Sequence, residues 1–216
     1  MISILSENFS LVHSWINDLR NIEVQNDRMK FRRNMERIGE IAAFEISKHL
    51  EYKEVEITTP LDKITSKEIS VQPVITTILR AGVPLFQGVL NYFDKADCGF
   101  VAAYRKHDAN DYFSIKQDYL TCPNIEDRPL IVADPMLATG ASLIEAIKDL
   151  LTNGEPSQVH IVAAIASQQG VETIRKAFPN AYLWLGVVDE SLTSKGYISP
   201  GLGDAGDLSY GEKLQR

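Results

Sequence analysis

Between residues 71 and 188, short runs of apolar and β-branched residues alternate with stretches whose apolar side chains recur every three or four positions. No other feature constrains the fold as tightly. Strands joined by helical crossovers pair in parallel, and the helices then cover both faces of the sheet. The strand-like runs fall at 71–79, 98–104, 130–133, 159–166 and 181–188, with helical stretches at 85–90, 143–151 and 170–178. This periodicity predicts an α/β chain with a mostly parallel, doubly wound sheet. Ahead of it, residues 1–50 read as a helical region. Leu11, Val12, Trp15, Ile16 and Leu19 mark a short amphipathic helix, and Phe31, Met35, Ile38, Ala42 and Ile46 mark a longer one across 26–50. An extended segment at 55–59 breaks at Pro60, and residues 105–120 are polar and less regular, with Tyr112, Phe113 and Tyr119 among them. From residue 196 onward glycine is too frequent for regular structure, so a shaped loop is expected there. No linker, repeat or low-complexity tract divides the chain, which argues for a single domain over 1–216.

One strand–turn–helix unit carries the chemistry. Leu130, Ile131, Val132 and Ala133 form its buried run and Asp134 ends it; Leu143, Ile144, Ile147, Leu150 and Leu151 mark the inward face of the helix that follows. At the head of a helix several N–H groups lack partners and the helix dipole adds partial positive charge, a combination that suits a phosphate. Thr139 and Ser142 can add hydroxyl donors, and Gly140 lets the backbone approach closely. Asp134 stands at the carboxyl end of its strand, where open α/β sheets bind ligands. The loop is neither a Walker loop nor a dinucleotide fingerprint, since G-x-x-x-x-G-K-[ST] and G-x-G-x-x-G are both absent. Spacing alone leaves a phosphate cradle and an ordinary strand–turn–helix connection equally open.

Composition narrows the partners. A net charge of -7 argues against a broad nucleic-acid surface, which needs a basic face, but a few placed cations can still bind a small phosphorylated substrate. No apolar run approaches the roughly 18–20 residues of a membrane span. Cys98 and Cys122 provide no disulfide framework, and the N-terminal residues lack the pattern of a signal peptide, so a cytoplasmic protein is expected. Four scattered His and two distant Cys give no zinc spacing.

The run Asp134-Pro135-Met136-Leu137-Ala138-Thr139-Gly140-Ala141-Ser142 resembles the phosphoribosyl diphosphate (PRPP) loop of the type I phosphoribosyltransferases. Pro135, where most relatives carry a second acid, matches the form found in the uracil phosphoribosyltransferase family. Ile78-Leu79-Arg80-Ala81-Gly82 agrees, and so does Gly196-Tyr197-Ile198-Ser199-Pro200-Gly201-Leu202-Gly203-Asp204-Ala205-Gly206-Asp207, which is similar to that family's uracil-binding signature. The resemblance implies a type I phosphoribosyltransferase fold with a β-arm at 105–120 and a C-terminal hood loop, the uracil-binding loop, at 196–211. It implies transfer of the 5-phosphoribosyl group from PRPP to N1 of uracil, giving UMP and pyrophosphate in pyrimidine salvage.

By the same resemblance Arg105, Asp134 and Asp204 are catalytic. PRPP is bound by Arg80, Arg105, Asp204 and the loop Asp134, Pro135, Met136, Leu137, Ala138, Thr139, Gly140, Ala141 and Ser142. Uracil is bound by Ile198, Gly203, Asp204 and Ala205. Mg²⁺ is the implied cofactor, carried by PRPP rather than by a protein site; a homodimer or higher homo-oligomer and a GTP effector are implied as well. Arg28, Lys30, Arg32, Arg33 and Arg37 form a basic helix face, either solvated or in contact with such an anion. Ala141 stands where the family usually has Gly, Leu208 where Arg is common, and residues 211–216 are atypical. Two rival readings keep the fold: a regulator that senses PRPP or UMP and binds RNA, and a transferase for a purine or orotate.

Overall fold

The computed structural model describes the backbone of residues 1–107 and 113–214 and the side chains of residues 1–102 and 119–214. The N-terminal part comprises β1 (Ile2–Ile4), α1 (Leu11–Arg20), α2 (Arg28–Ser47) and a hairpin of β2 (Tyr52–Thr58) and β3 (Lys63–Ile69). The central part runs β4 (Val74–Leu79), α3 (Val83–Leu90), β5 (Asp97–His107), β6 (Phe113–Thr121), β7 (Pro129–Ala133), β8 (Met136–Leu137) and α4 (Ala141–Leu150). Then come β9 (Gln158–Ser167), α5 (Gln168–Ala177), β10 (Tyr182–Asp189), β11 (Ser191–Leu192), β12 (Ile198–Ser199) and α6 (Ala205–Tyr210).

The main sheet has the order β1-β10-β9-β7-β4-β5-β6, with the short β8 also beside β9. Its pairs are parallel except β5 with β6. The mostly parallel α/β sheet expected from the periodicity is present, and its topology places the site. From β4 the chain moves outward to β5 on one side, whereas from β7 it moves to β9 on the other. Loops leaving β4 and β7 therefore diverge, and a crevice opens between them at the carboxyl ends of the strands.

Burial on both faces explains the unbroken apolar runs. Ile131 and Ala133 of β7, Val162 and Ala164 of β9 and Trp184 of β10 face α1, α2 and α3. Their alternates Leu130, Val132, Ile161, Ala163, Leu183 and Leu185 face α4 and α5. Each such aliphatic side chain contributes roughly 1.5–3 kcal/mol of burial. Helix starts are fixed by side-chain caps: Ser10 accepts from Val12 N–H, Asp27 from Lys30 N–H, and Ser167 from Gly170 N–H. Between α2 and α3 the backbones touch, since a Cβ at Gly39 would overlap Leu85 O and one at Gly88 would overlap Glu36 O.

Several expectations are corrected. The segment from 196 onward is not devoid of regular structure: β12 pairs antiparallel with β11, and α6 follows Asp204, whose carboxylate caps it by accepting from Asp207 N–H. Glycines do not prevent this because Gly196, Gly201 and Gly203, at φ of 77°, 56° and 94°, serve as joints between the short elements. The extended segment expected at 55–59 overlaps β2 as far as Thr58, but a second strand, β3, folds back against it after the turn at Thr59–Asp62. Strand β5 does not end near residue 105. It continues to His107 because β6 pairs antiparallel along it, Arg105 opposite Ile115. The tip of this hairpin and the Arg105 side chain lie outside the described residues.

Candidate active site

A cleft of about 680 Å³ opens at the divergence of the β4 and β7 loops. Three segments wall it: Ile78–Ala81 at the end of β4, the stretch from Asp134 to Leu143, and the C-terminal pieces Gly196–Tyr197, Asp204–Asp207 and Glu212–Lys213. Segments more than a hundred positions apart in the sequence thus share one cavity.

The β7 loop is shaped by backbone pairing. Asp134 N–H donates to Val162 O at 3.0 Å, and Met136 and Leu137 pair with Ile165 and Ala166, so the chain stays on β9 well past its own strand. Ser167 then ties the loop to α5. Its hydroxyl donates to Ala138 O at 2.6 Å and accepts from Gly170 N–H at 2.9 Å. Gly170 is required by close approach, because a Cβ there would overlap Ala138 O and Leu137 O. Gly140 turns the chain into α4 at φ 83°. The first turn of α4 therefore borders a pocket furnished with the Thr139 and Ser142 side chains, and Ala141 N–H donates to Thr139 Oγ1 at 3.4 Å. Pro135, Met136, Leu137 and Ala138 also line it, whereas Ala141 is exposed and is not part of the lining.

The carboxyls of the cleft differ in environment. Burial lifts the Asp134 carboxyl to about 7, opposed by a long 3.4 Å hydrogen bond from Met136 N–H. Burial also acts to lift Asp204, but the Lys213 ammonium at 2.7 Å and the Asp207 N–H at 3.0 Å prevail and hold it below the usual carboxylate range. Two acids pushed in opposite directions can play different parts in one reaction. Arg80 follows β4, where Thr77 Oγ1 donates to Ala133 O at 2.8 Å and ties the two diverging strands. Its guanidinium donates to Asp207 Oδ1 at 2.8 Å and to Gly211 O at 2.7 Å.

Of the uracil positions, Asp204 and Ala205 line the cleft, while Ile198 is buried in the core behind it and Gly203 is exposed beside it. Four of the five basic residues of α2 are engaged elsewhere. Lys30 pairs with Asp18, Arg33 with Glu36 and Glu40, and Arg37 donates to Asn34 Oδ1, while Arg32 donates to Ser209 O. Among the described residues no group of three or more His, Cys, Asp or Glu is placed to hold a metal ion, and no helix is long and apolar enough to cross a membrane.

Sequence reasoning missed the residues that act through others. Asp189 accepts from Arg20 at 2.6 Å and from Gly201 N–H at 3.0 Å, and Gln25 donates to Leu202 O at 3.3 Å. These contacts hang the 196–207 segment from α1 and the turn after it. Ser167, Gly170, Tyr197 and Lys213 were equally unassigned, and pairings at such separations leave no trace in local spacing.

Comparison with known proteins agrees with this geometry. The family model described as Uracil phosphoribosyltransferase matches residues 7–211. A uracil phosphoribosyltransferase of Porphyromonas gingivalis is 46% identical over 211 residues, 97% of this chain and 98% of the relative. One of Methanococcus vannielii is 38% identical over 204 residues, covering 93% and 86%. Among solved structures, the AQ2163 protein from Aquifex aeolicus superposes with a TM-score of 0.87 at 30% identity over 100% of both chains. A hypoxanthine phosphoribosyltransferase from Staphylococcus aureus, at TM-score 0.50 and 16% identity over 86% of this chain and 84% of that one, is alike in fold alone.

Proposed function

This chain belongs to the uracil phosphoribosyltransferase family, and on that premise we propose how its cleft carries the reaction of that family, transfer of the 5-phosphoribosyl group of PRPP to N1 of uracil. As the bond from ribose C1 to the pyrophosphate oxygen breaks, negative charge grows on the leaving group and positive charge on the ribose. The protein's task is to hold donors around the first and to keep the base behind the second.

In this reading the α4 turn, with the hydroxyls of Thr139 and Ser142, takes the 5′-phosphate. Asp134 faces the ribose hydroxyls. With its carboxyl near neutral it can accept a hydrogen bond as the anion or donate one as the acid. Arg80 and Arg105 take the pyrophosphate, since guanidinium groups stay charged and grip phosphate oxygens in pairs. The Asp204–Ala205 turn presents backbone groups to uracil, whose N3–H donates and O4 accepts; a cytosine would leave buried groups mispaired at roughly 1–3 kcal/mol each. Mg²⁺ fits the oxygen-only donor set of the cleft, with Asp134 and Asp204 as the carboxylates at hand, and would neutralise pyrophosphate charge while held mainly by PRPP.

The observation that carries this reading is the meeting of the 134–143 loop and the 204–207 turn in one cleft. A homo-oligomer belongs to the same reading. It is supported by the exposed Ile57, Leu61 and Ile64 of the β2–β3 hairpin. A GTP effector gains no support from the α2 basic face. The test is a base panel with PRPP and Mg²⁺: uracil yields UMP, and neither hypoxanthine nor orotate reacts. Arg105→Ala lowers turnover with no loss of folded protein; unchanged kinetics would remove Arg105 from the site.

A further inference from the structure

Among the described residues, the charge balance of the cleft is unfavourable for an anionic substrate. Its described lining carries the carboxyls of Asp134, Asp204, Asp207 and Glu212, against the cations of Arg80 and Lys213. Arg80 already donates to two protein oxygens. Lys213 does not belong to any of the three motifs; it arrives on the segment that follows α6.

The course of that segment is built. Gly211 turns it at φ 92°, its N–H donates to Asp207 O at 2.8 Å, and its carbonyl accepts from Arg80 at 2.7 Å. The turn brings Lys213 Nζ to 2.7 Å from Asp204 Oδ2 and 3.8 Å from Asp207 Oδ1, with about two-fifths of the side chain still exposed at 41%. An ammonium has three donors. Its bond to Asp204 occupies one of them, and the side chain lines the open cleft.

We propose that Lys213 is a PRPP-binding residue, whose ammonium bridges Asp204 and a phosphate oxygen of the substrate. It acts at the point where the motifs bring acids but few cations. It holds Asp204 in place, and it offsets the repulsion between the cleft carboxylates and the incoming diphosphate. This assignment rests on the PRPP-dependent reading of the cleft and adds to it a residue that none of its motifs contains.

The test compares wild type, Lys213→Ala and Lys213→Arg, with uracil saturating and PRPP varied in the presence of Mg²⁺. Lys213→Ala raises KM for PRPP about tenfold, the scale of one partly exposed charge-assisted contact, and changes kcat by less. Lys213→Arg restores most of the loss, which a purely structural role for the lysine stem would not require. KM for PRPP in wild type climbs more steeply with added salt than in Lys213→Ala. An unchanged KM for PRPP in Lys213→Ala would overturn the assignment and leave the family reaction standing. A lowered KM would overturn it as well, marking the Lys213–Asp204 pair as a competitor of the substrate. Should wild type form no UMP, the reading of the cleft fails, and titration with inorganic pyrophosphate and Mg²⁺ decides the lysine separately: weaker binding by Lys213→Ala supports it, equal binding overturns it.

Discussion

The two walls of the cleft are held by different forces. The 134–143 wall is an extension of the sheet, pinned by the pairing of β8 with β9, by Ser167 and by the contact at Gly170. The 196–213 wall hangs on charged side chains: Asp189 between Arg20 and Gly201, Arg80 on Asp207, and Lys213 on Asp204. Backbone ladders are indifferent to salt and largely to pH, whereas partly exposed ion pairs respond to both. The phosphate side of the site is therefore the rigid reference, and the base side is the adjustable one.

The sharpest test of the rigid wall is Asp134→Asn. Turnover should fall about 10³-fold, the scale of a lost acid–base group, and unchanged kinetics would remove Asp134 from the chemistry. Its stability carries a sign as well. An acid whose folded value, about 7, exceeds its unfolded value of 3.8 favours the fold while protonated, and that contribution is lost as pH rises between the two. Asp134→Asn should thus raise Tm relative to wild type by a few degrees at pH 8 and by less at pH 5, read by thermal melts. Gly170→Ala comes next. The added methyl must push the Leu137–Ala138 carbonyls aside, and a loop displaced by about 1 Å costs on the order of 10²-fold in turnover.

The adjustable wall should fail differently. Asp189→Ala leaves Arg20 and Gly201 N–H unpaired at a buried position and should cost about 2–4 kcal/mol of stability by denaturant titration. KM for uracil should increase about tenfold and KM for PRPP by less, since Asp204 and Lys213 stand on the same wall but the 134–143 wall is untouched; an equal rise in both would mean the walls are not independent. The smallest effect belongs to Ser167→Ala. The α5 cap and one loop hydrogen bond go, for about 1–2 kcal/mol, while the β8–β9 pairing keeps the loop in place and turnover within a few-fold.

The same contrast explains what the sequence could reveal. Strands β4, β7, β9 and β10 were legible because burial on both faces writes them as continuous apolar runs. The rigid wall was legible with them, since Asp134, Gly140 and the α4 head follow one another along the chain. Strand β1 was missed because three residues carry no period, and β3 because Lys63–Ile69 is exposed along almost its whole length. Helix α6 was hidden by Gly206 and the glycines that flank it. The clasp of the adjustable wall was illegible for another reason: Arg20 and Asp189 lie 169 positions apart, and nothing in either neighbourhood specifies the other.

Helix α2 reaches both sides of the opening. At Gly39 it lies flush on α3, which begins just after the Arg80 turn, and four residues from its start Arg32 grips Ser209 O at 2.7 Å and stacks over Tyr210. One rod thus braces the helix behind the Arg80 turn and the α6 end of the base side. A tilt of that rod alters the gape without touching a reacting atom, so a substituent or crosslink on the far side of α2 can throttle turnover from outside the catalytic chamber.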